Sequence, residues 1–311
     1  MALPQKIKNI LNFYESDSPG TKMNIARFLM HGKLAGSGRL AILAVDQGFE
    51  HGPVKSFAMN PEAYDPHYHF QLAIDAGLSG YAAPLGWLEA GATSFVGEIP
   101  TILKMNSSNS LLSKSLTPDQ AITASIQDAL RLGCAGIGLT IYPGSDQSLE
   151  MFEEVRDLVL EAKTYGLAVI IWSYPRGNFL KEGETAIDTI AYGAHIAALL
   201  GAHIIKVKLP TSIVESPENK IYYDKFSIKI NTLVDRIRHI KECCFKGKRL
   251  VIFSGGETKE DSQLIDEVKA INEAKGDGSI IGRNCFQRPH NEAMELLDHI
   301  ISCYSYGTVS S

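Results

Sequence analysis

Two kinds of apolar patterning alternate along this chain. Short runs rich in Ile, Val and Leu fall at 39–47, 79–85, 100–106, 134–142, 167–174, 203–209, 249–254 and 278–282. Most lack a polar face, as strands of a parallel sheet covered on both sides should. Between most of them lie longer amphipathic stretches, notably 148–165, 185–200 and 226–243, which predict helices. Thr117-Pro118-Asp119-Gln120 reads as a capping box with Pro at the first helical position, so a helix is expected from 121 to 132, ending at Gly133. Thr258 is expected to cap a helix running through 274.

Eight strands alternating with helices predict an α/β fold, a single (β/α)₈ TIM barrel. A doubly wound open sheet would carry a Gly-rich phosphate turn after its first strand. Here that strand ends in Asp46-Gln47-Gly48, and the Gly-rich turns follow strands seven and eight instead. Residues 1–36 read as an N-terminal helical extension, 37–303 as the barrel and 304–311 as a C-terminal tail. The segment 210–224 is a longer loop, expected to act as a lid or an interface.

The sixth strand, between Gly201 and Pro210, is the most informative. Alternation puts Ile205, Val207 and Leu209 on one face and Ile204, Lys206 and Lys208 on the other. Two ammonium groups on one face of a buried strand are costly unless paired or used, and buried amines are where Schiff-base chemistry is done. An ordinary lysine, with a pKa near ~10.4, is neutral in about one molecule in a few thousand at pH 7. Burial can lower that value by up to ~3–5 units. Lys206 lies deeper than Lys208 and is the expected nucleophile, with Lys208 as its neighbour or a phosphate ligand. The pattern alone leaves open that both lysines simply pair with acids inside the barrel.

Barrel chemistry gathers at the carboxyl ends of the strands. Strand one brings Asp46, and strand five brings Trp172 and Tyr174 followed by Arg176. A phenol beside an amine can pass protons. Ser254-Gly255-Gly256 and Gly282-Arg283 are expected to cradle phosphate through backbone N–H groups and a charged fork.

Composition narrows the partners. The 311 residues are 45% hydrophobic and carry a net charge of −5, which argues against nucleic acid. No uninterrupted apolar run is long enough for a membrane span, and no signal-peptide pattern opens the chain. Five cysteines, an odd number without metal-like spacing, suggest reduced thiols and a cytoplasmic protein. Glu50, His51, His67 and His69 could supply metal ligands, but no helix-spaced His pair or Cys cluster supports a metal site, and His67 and His69 are expected at the surface. No cofactor is expected. The sequon at Asn106 reads as a chance match.

The motifs Ala44-Val45-Asp46-Gln47-Gly48-Phe49-Glu50-His51-Gly52, Thr140-Ile141-Tyr142-Pro143-Gly144-Ser145, Trp172-Ser173-Tyr174-Pro175-Arg176-Gly177, Ile205-Lys206-Val207-Lys208, Ser254-Gly255-Gly256 and Gly282-Arg283-Asn284 resemble the archaeal-type (DhnA-type) class I fructose-bisphosphate aldolases, bacterial branch. The resemblance runs from about 38 to 300 and implies a metal-independent Schiff-base cleavage of fructose 1,6-bisphosphate, in glycolysis or gluconeogenesis, by a homo-oligomer, often a decamer. It implies Lys206 as the Schiff-base lysine, Tyr174 as general acid/base and Asp46 as the acid near the lysine and substrate hydroxyls. Gln47, His51, Trp172, Arg176 and Lys208 match substrate-contacting positions, with Gln47 standing where many archaeal members have His. Ser254, Gly255, Gly256, Gly282 and Arg283 match a phosphate site. The alternatives are a related aldolase acting on another phosphosugar (a 2-amino-dideoxy-heptulosonate synthase or an autoinducer-processing enzyme), a metal-dependent aldolase, and a non-catalytic sugar-phosphate-binding barrel.

Overall fold

The computed structural model describes residues 2–113, 115–177, 183–254 and 259–305. Eight parallel strands close into a barrel: β1 (Leu40–Ala44), β2 (Gly80–Pro84), β3 (Thr101–Lys104), β4 (Gly136–Ile141), β5 (Ala168–Ser173), β6 (Ile204–Lys208), β7 (Leu250–Ser254) and β8 (Gly278–Ile281). Each pairs with its neighbours in chain order, and β8 closes on β1 with Leu40 opposite Gly278. All eight predicted runs contain a barrel strand, each trimmed at one or both ends.

Alternation divides the core in two. Ala41, Leu43, Ile205, Val207, Val251 and Phe253 point outward and pack under the helices. Ile42, Ala44, Ile102, Ile170, Trp172, Ile204 and Ile252 point into the barrel. Ile7, Tyr14, Ile25, Phe28 and Leu29, from the helices Gln5–Leu11 and Pro19–Leu29 and the turn between them, join that interior set. These helices plug the barrel at its strand starts: the Tyr14 hydroxyl donates to the His203 carbonyl at 2.7 Å, and the Asn24 amide donates to the Gly166 carbonyl at 2.8 Å. With that end closed, the opposite mouth is the open one.

Several local expectations are corrected. Thr117–Gln120 caps no helix; 121–122 pair with 106–107 as a short antiparallel ribbon, and the helix is Ile126–Arg131. Its capping box is Ser125 with Asp128, and the Gln120 amide is instead buried against the Tyr142 hydroxyl. Thr258 lies outside the described residues; the helix that follows starts at Asp261. The stretch 226–243 is not one helix: Pro217–Lys225 ends just before it, and Leu233–Cys243 begins at a Thr232–Asp235 capping box. The loop after β6 therefore contains a helix. It is tied down by the Asp188 carboxylate, which accepts from the Glu215 and Ser216 amides and the Asn219 side chain. His69 is not at the surface. Its Nε2 donates to the Ala63 carbonyl at 2.8 Å inside an aromatic cluster. Asn106 is buried, which fits a sequon matched by chance. Among the described residues no helix is long and apolar enough to cross a membrane, and no group of His, Cys, Asp and Glu could hold a metal ion.

Candidate active site

At the carboxyl ends of the strands lies a cavity of about 650 Å³. Asp46, Gln47, His51, Tyr174, Arg176, Lys206, Lys208, Ser254, Gly282 and Arg283 all line it, so residues spread over 238 positions of sequence meet at one mouth. Gly255 and Gly256 lie outside the described residues. Trp172 is fully buried and forms the floor beneath Lys206 rather than part of the lining.

The pairing of β5 with β6 sets the central geometry. Trp172 is opposite Lys206, so the amine sits over the indole ring, 5.3 Å from its centroid. Just past the end of β5, the Tyr174 ring lies 5.4 Å from the same amine and 5.9 Å from that of Lys208. Lys206 is only 5% exposed and makes no hydrogen bond to another described residue. Burial lowers its pKa to about 8, against the opposing pull of the Asp46 and Glu50 carboxylates. Lys208 is nearer solvent and lies 4.0 Å from Glu184. Burial pushes the Tyr174 phenol well above the ordinary value, and the two carboxylates add to the effect. The phenol therefore carries its proton at neutral pH and shares a hydrogen bond with Ser254. An amine that readily loses a proton beside a phenol that keeps one is a nucleophile with a proton donor at hand.

The segment after β1 supplies the acids. Asp46 opens the one-turn helix Gln47–His51, which ends at Gly52, whose φ of 78° favours glycine. Glu50 comes four residues after Asp46 and so faces the same cavity. Its carboxyl is pushed up, by burial first and then by the Asp46 charge. Burial and the Arg283 charge push His51 down. Gln47 packs its amide on Gly282, where an added Cβ would lie 3.0 Å from Nε2 and 2.9 Å from the Ala44 carbonyl. This seam between β1 and β8 places Arg283 at the rim. Arg176 stacks on Tyr142, 4.5 Å from the ring centroid, and donates to its hydroxyl at 3.0 Å. That leaves Arg176 anchored at its head and open to the cavity along one side. Ser254, Arg283, Lys208 and Arg176 thus ring the mouth with anion-binding groups.

Two residues escaped the sequence reading. Glu50 was weighed only as a metal ligand. Lys104, at the end of β3, is 1% exposed, with its amine 5.8 Å from the Trp172 ring. The signal for it was present: Ile102 and Lys104 share a face by the alternation that singled out Lys206.

Residues 40–288 match the DeoC/LacD family aldolase profile. The chain belongs to the DeoC/LacD aldolase family. Within it, the chain is 36% identical over 312 residues to a probable fructose-bisphosphate aldolase class 1 of Chlamydia muridarum, covering 96% of this chain and 88% of that one. It is 34% identical over 256 residues to the fructose-bisphosphate aldolase class 1 of Halobacterium salinarum, covering 82% and 87%. An archaeal fructose-1,6-bisphosphate aldolase, solved with its catalytic Lys covalently bound to the carbinolamine intermediate of the substrate, superposes with a TM-score of 0.74 at 31% identity, covering 89% and 98%. These similarities agree with the resemblance carried by the motifs.

Proposed function

We propose that this DeoC/LacD aldolase cleaves fructose 1,6-bisphosphate through a Schiff base on Lys206. The observation that carries the reading is the buried Lys206 amine, lowered to about 8 and set between two aromatic faces at the floor of a cavity rimmed with cations. In its neutral form the amine attacks the C2 ketone. The resulting carbinolamine oxygen takes a proton from Tyr174 and leaves as water, giving an iminium. Breaking the C3–C4 bond sends its electron pair into the iminium, while the C4 hydroxyl gives up its proton. Glyceraldehyde 3-phosphate departs and leaves an enamine. Protonation at C3 and hydrolysis release dihydroxyacetone phosphate and restore the amine. Asp46 and Tyr174 are the groups placed to carry these protons. Arg283 with Ser254, and Lys208 with Arg176, are placed to hold the two phosphates. No step calls for a metal or cofactor. The five cysteines are all free thiols, which supports our further reading that the protein works in the cytoplasm.

Borohydride reduction tests the reading. Incubation with fructose 1,6-bisphosphate and borohydride should inactivate the protein and add one reduced triose phosphate to Lys206, read by mass spectrometry. Absence of a substrate-dependent adduct would sink it. An adduct formed with another phosphosugar but not with fructose 1,6-bisphosphate would keep the chemistry and change the substrate.

A further inference from the structure

We propose that Lys104 is a positioning residue whose positive charge, set against the Trp172 indole, raises the fraction of Lys206 in its neutral, nucleophilic form. The proposal rests on Lys206 being the nucleophile.

The two amines share one ring but not one environment. Both lie within 6 Å of the Trp172 centroid, Lys206 at 5.3 Å and Lys104 at 5.8 Å. They come from β6 and β3, which do not touch; β4 and β5 lie between them. The indole spans that gap because β4 presents Gly138 there. A Cβ at Gly138 would run into Cζ3 and Cη2 of the indole. Lys104 is paired in register with Gly138, and Trp172 with Lys206, so one ring reaches from amine to amine over a strand that carries no side chain.

Burial lowers the pKa of Lys104 as well, but its hydrogen bonds favour the ammonium. Its Nζ donates to the Asn106 carbonyl and to Asn106 Oδ1, the latter at 3.0 Å. Asn106 is itself fixed: Oδ1 accepts from the Thr140 amide at 2.7 Å, and Nδ2 donates to the Thr140 carbonyl at 2.8 Å. Hydrogen bonds to the charged form favour it. Lys206 lies against two ring faces and has no such hydrogen-bond acceptor among the described residues. Lys104 does not line the cavity, so a bound sugar cannot reach it in this arrangement.

The groups around Lys206 show why a second charge is needed. Asp46 and Glu50 face it from the segment after β1, the Tyr174 phenol from β5 and Arg283 from the segment after β8. The two carboxylates favour the ammonium and would hold Lys206 as one half of a buried ion pair. Lys104 faces the same carboxylates from β3 and offsets them. An ammonium beneath the ring thus makes it easier for the other amine to give up its proton.

The test is the pH dependence of substrate-dependent borohydride trapping at Lys206. In the unaltered protein the trapping rate should rise with pH, with its midpoint near 8. In Lys104→Met the rising limb should move to higher pH, with a rate about tenfold lower at pH 7 and close to normal near pH 10. Lys104→Arg, which keeps the charge, should keep the limb in place. Asn106→Asp, which neutralises Lys104 with almost no change of shape, should move the limb in the same direction as Lys104→Met. If Lys104→Met does not fold by circular dichroism, Asn106→Asp decides. An equal loss at every pH, or a limb that stays in place in both neutralising variants, would overturn the proposal and leave the aldolase reading intact. No adduct in the unaltered protein would remove the nucleophile reading first, and the proposal with it.

Discussion

At the scale of single residues, the proposed chemistry turns on how two lysines in one strand differ. Lys206 and Lys208 are the same side chain, two positions apart, yet one is 5% exposed between aromatic rings and the other pairs with Glu184 near the mouth. With a pKa of about 8, roughly one Lys206 in ten is neutral at pH 7, against about one in a few thousand for an ordinary lysine. Lys206→Ala should lower turnover by about 10⁴-fold or more and abolish borohydride trapping, since the covalent step has no substitute. Tyr174→Phe should lower it by about 10²–10⁴-fold and let a covalent intermediate build up, visible by mass spectrometry of acid-quenched enzyme. An unchanged rate in that variant would remove Tyr174 from proton transfer. Lys206, Tyr174 and Asp46 were legible in the sequence because strand alternation places side chains without tertiary detail. Lys104 obeys the same rule and was passed over because it stands alone, without a second lysine to draw notice.

At the scale of elements, the strands read more reliably than the helix starts. A parallel strand is declared by its own composition. A helix start is a competition between neighbouring caps. Thr117 and Ser125 both offer a side chain to a helix, and Ser125 wins because Asp128 completes its box while Gln120 is drawn onto Tyr142. Neither draw toward Tyr142 nor loss of the first cap can be seen without the fold. Gly138 shows the converse. In the sequence it is one glycine among 27, and in the barrel it is the space the Trp172 ring occupies. Gly138→Ala should therefore cost about 1–3 kcal/mol, read as a lower urea midpoint, and should slow Schiff-base trapping by displacing the ring beneath Lys206. A variant with normal stability and normal trapping would mean the ring can sit elsewhere at no cost.

At the scale of the whole molecule, segments that follow three different strands meet in a cluster no single one of them announces. His69 lies among Phe57, Trp87 and Phe286, at centroid distances of 5.9, 5.4 and 5.4 Å, joining segments that follow β1, β2 and β8. Burial pushes its pKa down to about 4 from an ordinary 6.5. The native imidazole thus stays neutral where the unfolded chain has taken up a proton. Stability from this group is complete above pH 6.5 and is lost as pH falls toward 4, by roughly 3 kcal/mol across that window. His69→Gln keeps a donor for the Ala63 carbonyl and cannot ionise. Its urea stability should fall less steeply than that of the unaltered protein between pH 6.5 and 4. Equal slopes would show that His69 is not the group responsible.

The sequence by itself determined the eight strands and the barrel they close into, and it singled out the mouth and the amine on which the proposed chemistry rests. Each follows from alternation and burial, which are properties of short stretches of chain. Only the tertiary structure decided which groups surround that amine. It brought a lysine from β3 and a lysine from β6 to one indole across a glycine, and drew Glu50 and Asp46 together beside them. Charge and desolvation act through space over a few ångströms, between residues as far apart in sequence as Asp46 and Lys206. No local pattern carries that information.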